Sequence, residues 1–331
     1  MIVDKEALVP NSMAVPSRAS FVVKVHSKAE TVEADEFAKK EGLSLIPLGD
    51  GTNTIPKDYV KAVVVVLDMK GLEAKGESLK IQAGERWDDA VAFAVEKELE
   101  GIEALSAIPG KTGAAPIQNI GAYGTEVADV LEYVEAYDRD KGEFVLLSKK
   151  DCQFSYRDSL FKKYPGKFIV VSVDLRLSEE MSNQIPKYKD VKNYFQKIKD
   201  PSPSLKKIRE AIIEIRKNKL PDIKTMPNCG SFFKNPIIGK REVEKIKKTF
   251  PNFPVFPIED KFKIPAGFLI EETGLKGKKV GQAEVYKNNA LVLINPNRVP
   301  YSELMSAKEE IQNAVFKKFH IMLEPEVNII G

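Results

Sequence analysis

The residues best suited to chemistry in this chain begin with a stretch of backbone. Residues 108–124 read IPGKTGAAPIQNIGAYG, and glycine, alanine and proline leave that run little bulk for a core. Glycine admits positive φ and close backbone approach, at an entropic cost on folding. Concave runs of such amides suit phosphates, although for a lone glycine pair a structural loop is the better explanation. A second run, PLGDGTN at 47–53, sets Gly49 and Gly51 around one residue and follows them with Thr52 and Asn53. Amides and short polar groups suit a pyrophosphate, yet an ordinary β-turn has the same letters. No third glycine opens a helix, so this is no Rossmann fingerprint, and no Gly-Lys-Ser/Thr makes it a P-loop. Two glycine turns after separate strand-rich units point to a dinucleotide cradled between two subdomains.

Three side chains stand out beside these turns. Arg157 in FSYRDS (154–159) offers a fixed fork of donors to a carboxylate. A surface pair with Asp158 explains it as well from the local sequence. Ser231 in NCGSFFKNP (228–236) is a candidate proton donor. It has no histidine neighbour and is not a hydrolase-type nucleophile. Glu326 in LEPEV (323–327) starts an expected last strand, where most glutamates are merely exposed.

Composition narrows the class. The chain has 331 residues, 43% hydrophobic, with 51 basic against 48 acidic residues and a net charge of +3. Such balance argues against a nucleic-acid binder. The two histidines, His26 and His320, lie far from each other and from Cys152 and Cys229, so neither a metal cluster nor a histidine triad is expected. Few cysteines favour a reducing compartment. No signal peptide and no apolar run of about 18 residues is found, so a soluble, cytoplasmic protein without a membrane partner is expected.

The elements that must position these groups follow from periodicity. Strands are expected at 20–25, 44–48, 62–69, 79–83, 133–138, 143–148, 168–177, 279–286, 290–295 and 326–330. The β-branched run 63–67 predicts a strand buried on both faces. Helices are expected at 29–41, 87–99, 241–250 and 302–319, and another carries Leu205, Ile208, Ile212 and Ile215 on one face. Residues 178–203 read as a long polar loop or a domain boundary.

Taken in order, PLGDGTN, IPGKTGAAPIQNIGAYG, SYRDSLFK at 155–162, KLP at 219–221, GSFFKNP at 230–236, AGFLIEETGLKG at 266–277, ALVLIN at 290–295 and LEPEV resemble the UDP-N-acetylenolpyruvoylglucosamine reductase (UDP-N-acetylmuramate dehydrogenase) family. The resemblance covers nearly the whole chain and is thinner near 56–100, 178–218 and 237–262. It implies a flavoenzyme of peptidoglycan synthesis, with FAD held non-covalently; neither turn carries a histidine or cysteine for covalent linkage. By resemblance the cofactor-binding residues are Gly49, Gly51, Thr52, Asn53, Pro109, Gly110, Gly113, Ala114, Gln118, Asn119, Gly121 and Ala122. NADPH reduces the flavin, and flavin N5 then delivers hydride to the enolpyruvyl β-carbon. Ser231 resembles the family's acid, and Arg157 and Glu326 match the groups that stabilise the enolate-like intermediate. Burial is expected to raise the Glu326 pKa enough for it to sit beside an anion.

The resemblance also gives substrate contacts, at Tyr123, Tyr188, Lys219, Asn235 and Lys263. Tyr188 aligns with a tyrosine that closes over the nucleotide in the subtype with a Tyr-Arg-Asp-Ser motif and an inserted loop. Departures occur at Asn11-Ser12-Met13, Phe256, Phe268 and Asn328, none of them in the implied chemistry. Residues 118–123 are expected near the flavin ring and substrate, and 109–113 nearer the phosphates.

The implied fold class is α+β: a two-subdomain FAD-binding fold of the vanillyl-alcohol oxidase type, at 1–70 and 71–203, plus a C-terminal α/β substrate-binding domain at 204–331. A monomer is expected. Another FAD oxidase or dehydrogenase of that superfamily is the enzyme alternative, against which GSFFKNP and LEPEV count. A non-catalytic nucleotide-sugar binding protein is the other, against which Arg157, Ser231 and Glu326 count together.

Overall fold

The computed structural model describes residues 1–182 and 184–331. Its contacts divide the chain into two compact units. The first holds Met1–Val9, Arg18–Gly51 and Lys61–Lys217; the second holds Pro10–Ser17, Thr52–Val60 and Asn218–Gly331. Residues 204–217, expected with the C-terminal domain, therefore make their contacts in the first unit, and short N-terminal pieces belong to the second.

Among the described residues the first unit contains two large sheets and a short pair of strands, Gly121–Ala122 with Thr125–Glu126. One is four-stranded, in the order Ile2–Leu8, Arg18–Val25, Tyr59–Leu67, Ser44–Leu48. Its last two strands run parallel, with Leu48 opposite Val66. Val63, Val64 and Val65 are all fully buried, as the β-branched run predicts. Helix Lys28–Lys40 begins where the Ser27 hydroxyl accepts from the Glu30 amide, and it ends on Lys39 and Lys40, which suit the negative end of its dipole. The other sheet is antiparallel, in the order Glu143–Ser148, Leu131–Asp138, Phe168–Arg176, Ser78–Gln82, Leu72–Lys75. Val23, Leu45 and Val65 from the first sheet share a core with Tyr137, Ile169 and Val171 from the second. Helix Trp87–Glu96 buries Trp87 and Val91 in a further core with Ile81, Val134 and Val173. The Trp87 indole donates to the Leu105 carbonyl at 3.0 Å, so its polar edge is satisfied.

The segment expected as a polar loop contains a helix, Lys189–Ile198. Residue 183 of that segment lies outside the described residues. Val191 and Phe195, four apart, bury one stripe against Ile208, Ala211 and Ile212 of helix Leu205–Lys219. The surrounding lysines and amides hide so narrow a stripe from composition. Arg209 then fastens helix Leu205–Lys219 to helix Trp87–Glu96 through a two-pronged bond to Asp88, at 2.6 and 3.0 Å.

The second unit packs helices Lys240–Thr249, Ala266–Glu272 and Tyr301–Phe319 around one core with Phe232, Phe233, Leu269, Val285 and Leu293. Its antiparallel sheet runs Asn228–Ser231, Val292–Ile294, Ala283–Val285, Lys279–Val280. The continuous strand expected at 279–286 is thus broken in two. Gly281 takes φ of 57°, a left-handed value that lets the chain turn back on itself. The last strand starts at Asn328 rather than 326 and pairs in parallel with Thr54–Pro56. Among the described residues no helix is long and apolar enough to cross a membrane.

Candidate functional site

In the first unit the two glycine turns pack against each other. A Cβ placed on Gly49 would lie 3.5 Å from the Lys111 Cβ and 3.6 Å from that of Ala114. Gly51 turns the chain with φ of 65°, and Gly110 with φ of 112°. The Gly110 carbonyl accepts from the Trp87 amide, which ties the loop to the start of a helix. Gly113 has a different reason to be glycine: a Cβ there would lie 2.7 Å from that of Ala83. Its amide donates to the Ala83 carbonyl at 2.9 Å, and that of Thr112 to Glu85 at 2.8 Å, so these two amides hold the loop in place. The Thr112 hydroxyl is buried without a hydrogen-bond partner, a group whose desolvation calls for a ligand or water.

Further along the loop, the carbonyls of Asn119 and Gly121 accept from the Arg157 guanidinium at 3.2 and 2.7 Å. Glu126 lies 3.7 Å from the same guanidinium and accepts from the Asn119 amide group at 2.7 Å. The Asn119 side-chain oxygen in turn accepts from the Ala128 amide. Asn119, Tyr123 and Arg157 all have positive φ, at 47°, 52° and 55°. Such backbone strain is held by surrounding bonds and gathers at functional positions. Arg157 also stacks on Tyr156, 5.3 Å from its ring centre. Asp158 closes a tight turn with Ser155 by reciprocal backbone bonds. Glu126 escaped the sequence reading; the capping box it forms with Asp129 marks it as a helix start and says nothing of Arg157.

Tyr123 and Tyr188, both expected at the substrate, meet edge to face with ring centres 5.2 Å apart. Burial raises the Tyr123 pKa, while Arg216, bonded to its hydroxyl, pulls the other way. Arg216 also donates to the Ala107 carbonyl at 3.3 Å. The Ala107 amide donates to Asp88 at 2.6 Å, so the arginines of helix Leu205–Lys219 and the loop share one network. Gln118 and Ala122 are half-buried, whereas Pro109 and Ala114 are exposed.

In the second unit Glu326 is bonded to Asn53 and to Phe232, the chain neighbour of Ser231. The Glu326 amide donates to the Phe232 carbonyl at 2.8 Å, next to Ser231. The Asn53 side chain donates to the Glu326 carbonyl at 3.2 Å, and the Asn53 carbonyl accepts from Asn328 at 2.9 Å. Thr52 adjoins this group in sequence. Ser231 and Glu326 are both half-buried. Asn235 anchors helix Ala266–Glu272 by accepting from the Ala266 amide at 2.9 Å. Lys263 lies on a small sheet opposite Ile237 and Phe256. Lys219 is exposed at the end of its helix. Cys229, two residues before Ser231, is buried, and its thiol is pushed up to about 12 by desolvation, so it is inert at neutral pH. Among the described residues no group of three or more His, Cys, Asp or Glu is placed to hold a metal ion.

Comparisons with known proteins bear on both units. The description of an FAD binding domain matches residues 19–148. That of the UDP-N-acetylenolpyruvoylglucosamine reductase C-terminal domain matches residues 221–330. A UDP-N-acetylenolpyruvoylglucosamine reductase from Flavobacterium johnsoniae is 37% identical over 97% of this chain and 96% of its own. The enzyme of the same name from Escherichia coli is 34% identical over 97% of this chain and 94% of its own. The crystal structure of UDP-N-acetylenolpyruvylglucosamine reductase from Thermus caldophilus shares the fold, with a TM-score of 0.73, 23% identity and full coverage of both chains.

The fold class is therefore α+β, an FAD-binding domain followed by a reductase C-terminal domain. FAD is the cofactor, and the first unit fits it: two mutually packed glycine turns and a buried threonine hydroxyl without a partner. With relatives this similar along its full length, the chain belongs to the UDP-N-acetylenolpyruvoylglucosamine reductase family of flavin oxidoreductases.

Proposed function

We propose that this protein reduces UDP-N-acetylenolpyruvoylglucosamine to UDP-N-acetylmuramate with NADPH, as a cytoplasmic monomer in peptidoglycan synthesis. The observation that carries the reading is the fixing of Arg157. Two carbonyls of a strained loop and the Glu126 carboxylate hold a guanidinium ready, so little reorganisation is needed when charge develops on a substrate carboxylate. Bound FAD, reduced by NADPH, supplies the hydride that adds to the β-carbon of the enolpyruvyl group.

The chain's residues handle the charge and the proton. Arg157 binds the substrate carboxylate and stabilises the enolate-like charge that hydride addition builds on it. Glu326, in its protonated form, donates a hydrogen bond to the same charge. The Ser231 hydroxyl gives its proton to the α-carbon, which completes saturation of the double bond. Serine is a weak acid, so this transfer depends on the basicity of the enolate and on prompt reprotonation of Ser231. The cofactor contacts are the twelve residues that the resemblance implies, from Gly49 to Ala122. Tyr123, Tyr188, Lys219, Asn235 and Lys263 contact the UDP-sugar, where lysines suit two phosphates.

Ser231→Ala tests the assignment. The account expects flavin reduction by NADPH to persist while reoxidation by the UDP-sugar falls by orders of magnitude. Unchanged turnover would remove Ser231 from the reaction. Fast reoxidation by oxygen without any response to the UDP-sugar would favour an FAD oxidase instead.

A further inference from the structure

Lys111 is the only charged residue in the stretch 108–124, and the reaction proposed above has no use for it. Its side chain is nonetheless only 9% exposed. A buried ammonium carries a desolvation cost that only well-placed partners offset. Here they come from two neighbouring parallel strands. The ammonium donates to the Leu67 carbonyl at 2.7 Å and to Asp68 at 3.0 Å, where strand Tyr59–Leu67 ends. It also lies 3.9 Å from Asp50, in the turn that follows strand Ser44–Leu48. Asp68 is itself shared with Lys70 at 3.5 Å and Lys24 at 3.7 Å. Burial pushes the Asp68 carboxyl up, but Lys111 and these lysines outweigh it, so the group stays ionised. The stem of Lys111 meanwhile forms the surface on which Gly49 rests.

Two carboxylates thus stand at the glycine turns, where a diphosphate would be repelled. The geometry points to Lys111 as a positioning residue for FAD: one ammonium clamps the turn at 49–51 to the loop at 108–114 and cancels Asp50 and Asp68 at the turns assigned to the cofactor's diphosphate. This rests on the reading that those turns take the diphosphate.

FAD release on dilution of the full-length holoenzyme, followed by recovery of flavin fluorescence, tests it. In Lys111→Met, loss of a charge-assisted bond predicts an FAD Kd raised about 10- to 100-fold. Lys111→Arg, which keeps the charge, should recover most of that loss. Lys111→Met/Asp50→Asn should recover about threefold or more, because one repelling carboxylate is gone. A purely structural role would not produce that second recovery. A folded Lys111→Met protein with the wild-type Kd, or no recovery on adding Asp50→Asn, overturns the proposal. If Lys111→Met does not fold, Asp50→Asn alone decides: about threefold tighter FAD supports the proposal, and equal or weaker binding overturns it. A wild-type protein that binds no FAD would instead sink the functional reading on which this rests.

Discussion

Gly121→Ala probes the clamp on Arg157 without removing a polar group. A Cβ at position 121 would lie 2.9 Å from Glu126 Cγ, 3.0 Å from Arg157 Nη1 and 3.1 Å from the Thr125 carbonyl oxygen. Carbon and its heavy-atom neighbours prefer about 3.5 Å or more, so the guanidinium must give way by roughly half an ångström. That displacement acts on the 2.7 Å bond from Arg157 to the Gly121 carbonyl. A hydrogen bond to a charged group is worth about 1.5–3 kcal/mol, which corresponds to about 10- to 100-fold in rate if the transition state feels all of it. Small misplacements of an oriented group reach similar factors. Rapid mixing separates the two halves of turnover. Because Gly121 is also proposed as an FAD contact, the difference between the halves is decisive: reoxidation by the UDP-sugar should slow by that factor beyond any slowing of flavin reduction by NADPH. The fold should remain, because position 121 is half-buried and two of the three atoms nearest the added methyl belong to side chains rather than backbone. Reoxidation at the wild-type rate would refute the claim that Arg157 acts from its seat on this loop. Equal slowing of both halves would show that the methyl disturbs flavin rather than Arg157.

Other expectations follow from the same contacts. The Asp88 carboxyl is driven up by burial, but the Arg209 fork, the Ala107 amide and Arg216 outweigh this and hold it below its ordinary 3.8. A lowered carboxyl pKa stabilises the fold above the unfolded value and ceases to do so as pH falls through the folded one. Asp88→Asn should therefore cost about 1–2 kcal/mol in urea unfolding at pH 7, with the gap closing below about pH 4; a gap that persisted in acid would contradict the assignment. Cys152 and Cys229 are buried with thiols near 12. A thiol-specific disulfide reagent should modify neither in the native protein and both in guanidinium; prompt native labelling would contradict their burial. Phe195→Ala should destabilise the helix pair Lys189–Ile198 and Leu205–Lys219 by about 3 kcal/mol. Hydrogen exchange should then accelerate in those helices before it does in strand Tyr59–Leu67, and uniform acceleration would count against the separate core described for them.

Where burial follows a strong local pattern, the sequence was readable. The run 63–67 is a strand because five successive β-branched or leucine side chains suit a doubly covered sheet, and strand Ser44–Leu48 and helix Tyr301–Phe319 announce themselves in the same way. Strand Asn228–Ser231 does not: Asn, Cys, Gly and Ser carry no strand pattern, and its pairing with Val292–Ile294 contains a register irregularity. Helix Lys189–Ile198 was hidden for a related reason, since its buried stripe is two residues wide amid lysines. At the site, the motifs pointed to Arg157, but only the fold reveals that it sits on the carbonyls of residues 119 and 121 with Glu126 beside it. The Asp88–Arg209 pair spans 121 residues and leaves no local trace. Gly113 is placed near the phosphates only by resemblance; that its amide bonds to the Ala83 carbonyl and a Cβ there would meet Ala83 is visible only in the fold. Backbone chemistry, unlike periodicity, depends on which distant strand end arrives beside it.

The most direct measurement is a flavin absorption time course on purified protein, first with NADPH and then with UDP-N-acetylenolpyruvoylglucosamine. The account predicts that the yellow band bleaches with NADPH in wild type and Ser231→Ala alike. It then predicts that the UDP-sugar restores the band without oxygen in wild type and fails to do so in Ser231→Ala. A colourless protein that takes up no FAD, or a reduced flavin indifferent to the UDP-sugar, would contradict it.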